Sequence, residues 1–347
     1  MSAAALAEGA GGVKRVSLAL QGGGSHGAFT WGVLDALLED ERLEFDAITG
    51  ASAGAMNAVV LAEGFCEGGR QGARDALDRF WRSLSSANAL SPVQRKLFDT
   101  FFGYGTPAAA IGYFWADLLT HFASPYDLNP LNLNPLREHL AAAVDFEKVR
   151  TQSAIKLFVA ATNVESGQIK IFEKHELTAD HIMASACLPF VFQAVEIDGV
   201  PYWDGGYRGN PALFPLFYKT TCPDIVLVQV NPIARKGVPR SAQEIQSRLN
   251  EITFNGALMS EMRAVDFVTK LIDAGKLSRE EYMRAFLHSI DGGEVLRDFS
   301  AASKLDASWP LLSQLRGFGR SAAQAWLKTN FDAIGRVTTL DLRVAFV

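Results

Sequence analysis

Within its first sixty residues the chain twice runs from a short apolar strand through a glycine-rich turn into a helix, and few folds accept that pattern. Val16-Ser-Leu-Ala-Leu20 is of buried-strand type, and Gln21-Gly-Gly-Gly-Ser-His-Gly27 is the turn. Ala28 to Glu39 then carries Phe29, Val33, Leu34, Leu37 and Leu38 at the spacing of an amphipathic helix. Ala47-Ile-Thr49 is a second brief strand, Gly50-Ala-Ser-Ala-Gly54 a second turn, and Ala55 to Ala62 has the composition of a buried helix. Strands that alternate with helices pair in parallel and are covered on both faces. The expected fold class is therefore α/β, three layers α/β/α around a mainly parallel central sheet.

The rest of the chain elaborates that plan. Gly64 to Phe146 reads as helices and turns, an insertion beside the site, with Phe98, Phe101, Phe102, Tyr104, Tyr113, Phe114, Trp115 and Phe122 crowded into one section. Ile155 to Asn163 and Gln168 to Phe172, joined by Val164-Glu-Ser-Gly167, predict a β-hairpin, and Asp224 to Val230 another core strand. The last third is mostly helical: Ala242 to Ala274 and Trp309 to Phe331 as helices, Leu287 to Ile290 as a strand, and Val337 to Val347 as a last strand. No linker divides the 347 residues, so one elaborated domain is expected.

Each glycine turn can present backbone N–H groups to an anion at a helix N-terminus, where the helix dipole favours negative charge. Gly22, Gly24 and Gly27 satisfy G-x-G-x-x-G, but a dinucleotide site also needs an acid at the carboxyl end of the second strand. Asp46 precedes its expected strand and sits at the wrong end. The other anion such a turn serves is a reaction's oxyanion. Gly50-Ala-Ser52-Ala-Gly54 is a G-x-S-x-G between strand and helix, the form of a nucleophile elbow, whose tight turn needs small residues on either side of the serine. A serine hydroxyl needs a base. Of the six histidines none has the late, loop-borne context of a triad, and His288, nearest by chain order, lies in an expected strand. The better base is the carboxylate of Tyr202-Trp-Asp204-Gly-Gly206, displayed at a strand end before two glycines.

Composition closes other classes. A net charge of -5, from 33 basic and 38 acidic residues spread along the chain, gives no footprint for nucleic acid, so any membrane contact is mainly apolar. Cys66, Cys187 and Cys222 are too few and too scattered for a disulfide framework or a metal site and are expected as buried free thiols. No metal or cofactor is expected. The first fourteen residues lack the pattern of a signal peptide. Ala108 to Ala123, broken by Asp117 and His121, falls short of the ~20 residues of a membrane span. The expected location is cytoplasmic, with peripheral membrane contact open.

Together the three motifs, in this order, resemble the patatin-like phospholipases, as does Met183-Ala-Ser-Ala-Cys-Leu-Pro189 ahead of the acid. The resemblance covers about residues 15 to 231, a core that contains the helical insertion of about 64–150. It leaves a mostly helical C-terminal part, 232–347, packed on the core, and a flexible N-terminus, 1–14. It implies a serine acyl hydrolase acting on lipid or phospholipid esters, with Ser52 as nucleophile, Asp204 as general base and Gly22, Gly23 and Gly24 as oxyanion hole. His26, Gly27, Gly50, Gly54, Gly205 and Gly206 support these motifs. The aromatic section would line an acyl pocket, lie against a bilayer, or form core. The last third leaves room for a lid, a homodimer surface or simple packing. An acyltransferase and a catalytically silent lipid-binding module are the rivals. The family usually has Arg or Lys where this chain has His26, which leaves two readings: a titratable cation whose loss of a proton weakens handling of anionic headgroups, or a neutral histidine hydrogen-bonded to its own helix turn.

Overall fold

The computed structural model describes residues 12–86, 124–297, 299, 303–304 and 306–342. Residues 1–11 of the N-terminal segment, the aromatic section Phe98 to Phe122 and the apolar stretch Ala108 to Ala123 lie outside the described residues. Five parallel strands form the centre of an eight-stranded sheet: β3 (Lys156–Asn163), β2 (Leu43–Gly50), β1 (Lys14–Leu20), β7 (Asp224–Gln229) and β8 (Phe286–Asp291), in that spatial order. Beyond β3 the sheet turns antiparallel, with β4 (Ile169–Glu173), β6 (Val200–Asp204) and β5 (Val195–Ile197). The expected hairpin forms as β3 and β4, with Phe158 opposite Glu173 and Thr162 opposite Ile169.

Period-two alternation assigns the faces. Val16, Leu18, Leu20, Val226 and Val228 enter one core, while Ala19, Ile225 and Leu227 enter the other. The first core is closed by α1 (Gly27–Glu39), α2 (Ala53–Ser86) and, farther along the chain, α3 (Pro135–Ala143), α4 (Phe146–Gln152) and α5 (Ala179–Ser185). The second is closed by α6 (Phe214–Lys219) and α7 (Ala242–Asp273), through Leu213, Leu216, Leu258 and Met262.

Helix α1 departs from its expected amphipathic character: Gly27 through Leu38 are all buried. Its outer side is covered by α8 (Trp309–Asn330), which crosses so closely that a Cβ on Gly32 would overlap the carbonyl oxygen of Arg316, and one on Gly319 that of Phe29. Asp35 is buried at this crossing and receives Arg74 Nε at 2.7 Å, Arg316 Nη2 at 2.9 Å and a further bond from Arg320. Burial alone would raise its pKa, but the hydrogen bonds from Arg74 and Arg320 outweigh it and hold the carboxyl below its ordinary value.

Four expectations need correction. Asp46 lies inside β2, which begins at Leu43, and is buried against Arg15 rather than ahead of the strand. Lys14 opens β1 and is tied to the carbonyls of Phe331 and Ile334 at 2.7 and 3.0 Å, so it is no part of a loose terminus. Residues 337–342 form no strand, because the N–H groups of Thr339 and Leu340 both turn onto the single carbonyl of Leu287, and residues 343–347 lie outside the described set. Of the three free cysteines, Cys187 and Cys222 are buried but Cys66 is half-exposed.

Candidate active site

The carboxyl ends of β1 and β2 meet at one cleft. After β2, Ser52 adopts φ of 51°, the left-handed backbone that a sharp strand-to-helix elbow demands and that a non-glycine residue adopts only under strain. The elbow fits because the chain around it lacks side chains. A Cβ on Gly54 would overlap the carbonyl oxygen of Leu20, and one on Gly22 would sit 2.7 Å from Cβ of Ser52. Gly50 packs against the backbone of Gly54 and Ala55, and Gly27 against Ala53 and the Trp81 ring. Helix α2 starts at Ala53, so its positive end lies at Ser52.

Asp204 ends β6 and is 1% exposed. Its Oδ1 accepts the N–H of Gly206 at 2.6 Å, and the Ser52 side chain lies beside the carboxylate and favours its charged form. Burial, opposed only partly by Gly206 and Ser52, pushes its pKa up to about 7. Gly205 packs against the carbonyl of Ala160, and Gly206 lies under the Phe254 ring. The small-residue segment at the end of α5 ties the two halves together. The N–H of Ser52 donates to Ser185 Oγ at 2.9 Å, and the N–H of Asp204 donates to the carbonyl of Cys187 at 2.8 Å.

The glycine turn is held from behind by amides that sequence reasoning did not single out. Gln21 Oε1 accepts the N–H groups of Val230 and Asn231, both at 2.9 Å, and its Nε2 donates to Asn255 at 3.1 Å. Asn231 Nδ2 donates to the carbonyl of Gly22 at 2.7 Å. The N–H of Gly22 donates to Asn210 Oδ1 at 2.6 Å, which removes it from the donors facing the cleft. Gly22 thus departs from its expected place in an oxyanion hole. The N–H groups of Gly23 and Gly24 have no protein partner among the described residues.

His26 is buried, and its Nε2 lies 2.7 Å from Ser303 Oγ. Burial, with the nearby charge of Lys304, pushes its pKa down to about 3. Of the two readings of His26, this burial favours the neutral histidine near neutral pH. His288 is far from the cleft: it sits in β8 opposite Val226, with Nε2 3.1 Å from Asp224 Oδ1 and Nδ1 2.9 Å from Thr339 Oγ1. Asp224 begins β7, at the opposite end of the parallel sheet from Ser52.

The cleft has a cavity volume of about 90 Å³. Its walls mix Leu188, Phe254, Leu296 and Phe299 with Asn231, Arg235, Glu251 and Lys304. Apolar walls with a few converging polar groups suit an acyl chain ending at a polar head. Among the described residues no His, Cys, Asp and Glu cluster could hold a metal ion, and no helix is long and apolar enough to cross a membrane.

Sheet, elbow and buried acid define an α/β protein that displays a serine at a strand-to-helix turn. The family model for patatin-like phospholipase matches residues 18–217, more than half of the chain, and the chain belongs to that family of lipid acyl hydrolases. Similar solved structures include VipD from Legionella pneumophila, at 16% identity and a TM-score of 0.36, with 88% of this chain and 67% of that one covered. Full-length ExoU from Pseudomonas aeruginosa, solved in complex with SpcU, gives 15% identity and a TM-score of 0.31, with 90% of this chain and 53% of that one covered. The chain thus spans about two thirds of the first and half of the second. No curated protein matches it.

Proposed function

We propose that the chain hydrolyses lipid acyl esters through a Ser52–Asp204 dyad and an acyl-enzyme intermediate. One observation carries this reading: Ser52, on an elbow with φ of 51°, shares its cleft with a buried carboxylate beside it whose pKa is raised to about 7. An aspartate at its ordinary pKa is a poor base toward a hydroxyl, and the raised value narrows that gap.

In this mechanism Ser52 Oγ attacks the ester carbonyl as its proton passes to Asp204. The oxyanion forms against the N–H groups of Gly23 and Gly24, where each donor is worth on the order of 3 kcal/mol. Collapse expels the alcohol, which takes the proton from Asp204. Water then attacks the acyl-serine, giving its proton to Asp204, and the second collapse returns that proton to Ser52 Oγ as the fatty acid leaves. No histidine takes part. The natural lipid is a glycerol ester or phospholipid presented at a membrane surface, with the acyl chain against Leu188, Phe254 and Leu296.

The test is release of p-nitrophenol from medium-chain esters and of fatty acid from phospholipid vesicles by wild type, Ser52→Ala and Asp204→Asn. The dyad requires loss of turnover in both folded variants and fluorophosphonate labelling that disappears with Ser52→Ala. Full turnover in Asp204→Asn would refute the assigned base. A wild type that neither turns over nor labels would point to a silent lipid-binding module.

A further inference from the structure

With His26 neutral, the glycine turn has no cation of its own. The structure supplies one from a distant part of the chain. Lys304 lies against the turn so closely that a Cβ on Gly24, at φ of 58°, would overlap its carbonyl oxygen. Its side chain enters the cleft that contains Ser52 and Asp204, and Nζ donates to Asn231 Oδ1 at 2.7 Å. Asn231 is the same buried amide that holds the carbonyl of Gly22, so the ammonium is positioned by the scaffold that positions the turn.

The other charges on the wall satisfy one another. Arg235 donates to Glu251 through Nε at 2.9 Å and Nη2 at 2.8 Å, and Arg248 donates to the second oxygen of Glu251 at 3.0 Å. Asp204 is engaged by Ser52 and Gly206. Lys304 alone among these faces a neutral amide, and no carboxylate lies within ion-pair distance of it among the described residues. A half-buried ammonium without an anionic partner carries a desolvation cost, and that cost falls when an anion binds.

We propose that Lys304 is a specificity-determining residue that holds the phosphodiester of a phospholipid substrate in the cleft. This rests on the hydrolytic reading of Ser52 and Asp204. An acyl chain carries no charge, and the ester carbonyl is taken up at Gly23 and Gly24. The anion that a lipid ester carries within a glycerol's length of the scissile bond is its headgroup phosphate. Lys304 thus separates phospholipids from neutral glycerides of the same chain length.

Burial brings the pKa of Lys304 down to about 8, opposed by Glu251 and aided to a smaller extent by Arg235. The charged groups that face it are Arg235 and Glu251, with His26 neutral beside it. The phospholipid reaction therefore rises with pH as Asp204 ionises through about 7 and falls as Lys304 loses its proton through about 8, whereas a neutral ester shows the rise alone.

The experiment compares a lysophosphatidylglycerol with the monoacylglycerol of the same chain, using wild type, Lys304→Met and Lys304→Arg. Loss of one charge-assisted bond predicts that Lys304→Met raises KM for the phospholipid about tenfold or more, with kcat little changed and the neutral ester within about twofold. Lys304→Met also loses the alkaline fall, and Lys304→Arg recovers the low KM. Equal losses on both lipids would reduce Lys304 to a structural or oxyanion role, and no loss on either would end the proposal. Calorimetric binding of the same lysophospholipid to Ser52→Ala separates the two readings. Affinity that depends on Lys304 without turnover in wild type refutes the hydrolase and keeps the anion site, while turnover with affinity independent of Lys304 refutes the anion site alone. Inorganic phosphate that binds as tightly as the lysophospholipid would assign the site to free phosphate and overturn the headgroup role.

Discussion

Replacing Asp204 by asparagine is expected to stabilise the protein by an amount that grows with pH. The amide keeps an acceptor for the Gly206 N–H and a polar group toward Ser52, but it has no charge to bury. In the wild type the carboxyl titrates near 3.8 when unfolded and about 7 when folded. Between those values the folded state holds a proton that the unfolded state has released. Wild-type stability therefore falls as pH rises through that window, by about 1.4 kcal/mol per pH unit, and is flat above it. The total is about 4 kcal/mol by pH 8, against roughly 1.6 kcal/mol at pH 5. Glu261, whose pKa burial also raises to about 7, is common to both proteins and cancels in the difference. Urea unfolding of wild type and Asp204→Asn, followed by tryptophan fluorescence from the buried Trp31 and Trp81, measures this directly. An advantage of Asp204→Asn that is the same at pH 5 and pH 8, or a wild type that is the more stable at pH 8, would refute the buried, raised carboxyl. A stability gain at the position that the mechanism needs is the expected trade between activity and stability.

Further outcomes follow from the same geometry. Turnover of a neutral ester by wild type should fall about tenfold per pH unit below 7 as Asp204 takes up its proton, and a rate constant level down to pH 5 would show a base of ordinary pKa. Ser52→Gly should be more stable than Ser52→Ala by about 1 kcal/mol, because glycine accepts the left-handed backbone at no steric cost, and equal midpoints in urea would contradict the strained elbow. Gly319→Ala should cost on the order of 2 kcal/mol by forcing α8 off Phe29. Gly317→Ala, two residues away on the open side of the same helix, should gain up to about 1 kcal/mol. Thermal melts that rank the two alike would place the crossing elsewhere.

The glycine turn, the elbow serine and the Asp-Gly-Gly acid were legible because their chemistry is local: small residues at fixed offsets record where backbone must approach backbone. The amides behind the turn were not. Asn210 and Asn231 each precede a proline, but so do Asn129 and Asn134, and nothing local separates the pair that reaches Gly22 from the pair that does not. Lys304 was invisible for the same reason, a lone base whose role depends on where a distant segment returns. The strands of the sheet were readable from apolar runs, whereas β2 proved longer than expected because Glu44 and Asp46 interrupt its apolar run. The full burial of α1 was hidden because period alone cannot report that α8 covers its polar side, where Asp35 finds three arginines.

The crossing of α1 and α8 also bears on how the protein is made. Helix α1 is apolar nearly all round, and it leaves the ribosome long before the helix that covers its outer side. That covering helix is synthesised well after Ser52 and Asp204 are both in place. Until α8 emerges, the nascent chain carries Phe29, Val33 and Leu37 with no final partner and an elbow serine whose glycine turn lacks Lys304 above it. Such a chain exposes apolar surface that favours aggregation, and its cleft reaches final form only once both Lys304 and α8 have been made. Synthesis order thus delays completion of a lipid-cleaving site until the polypeptide can fold around it.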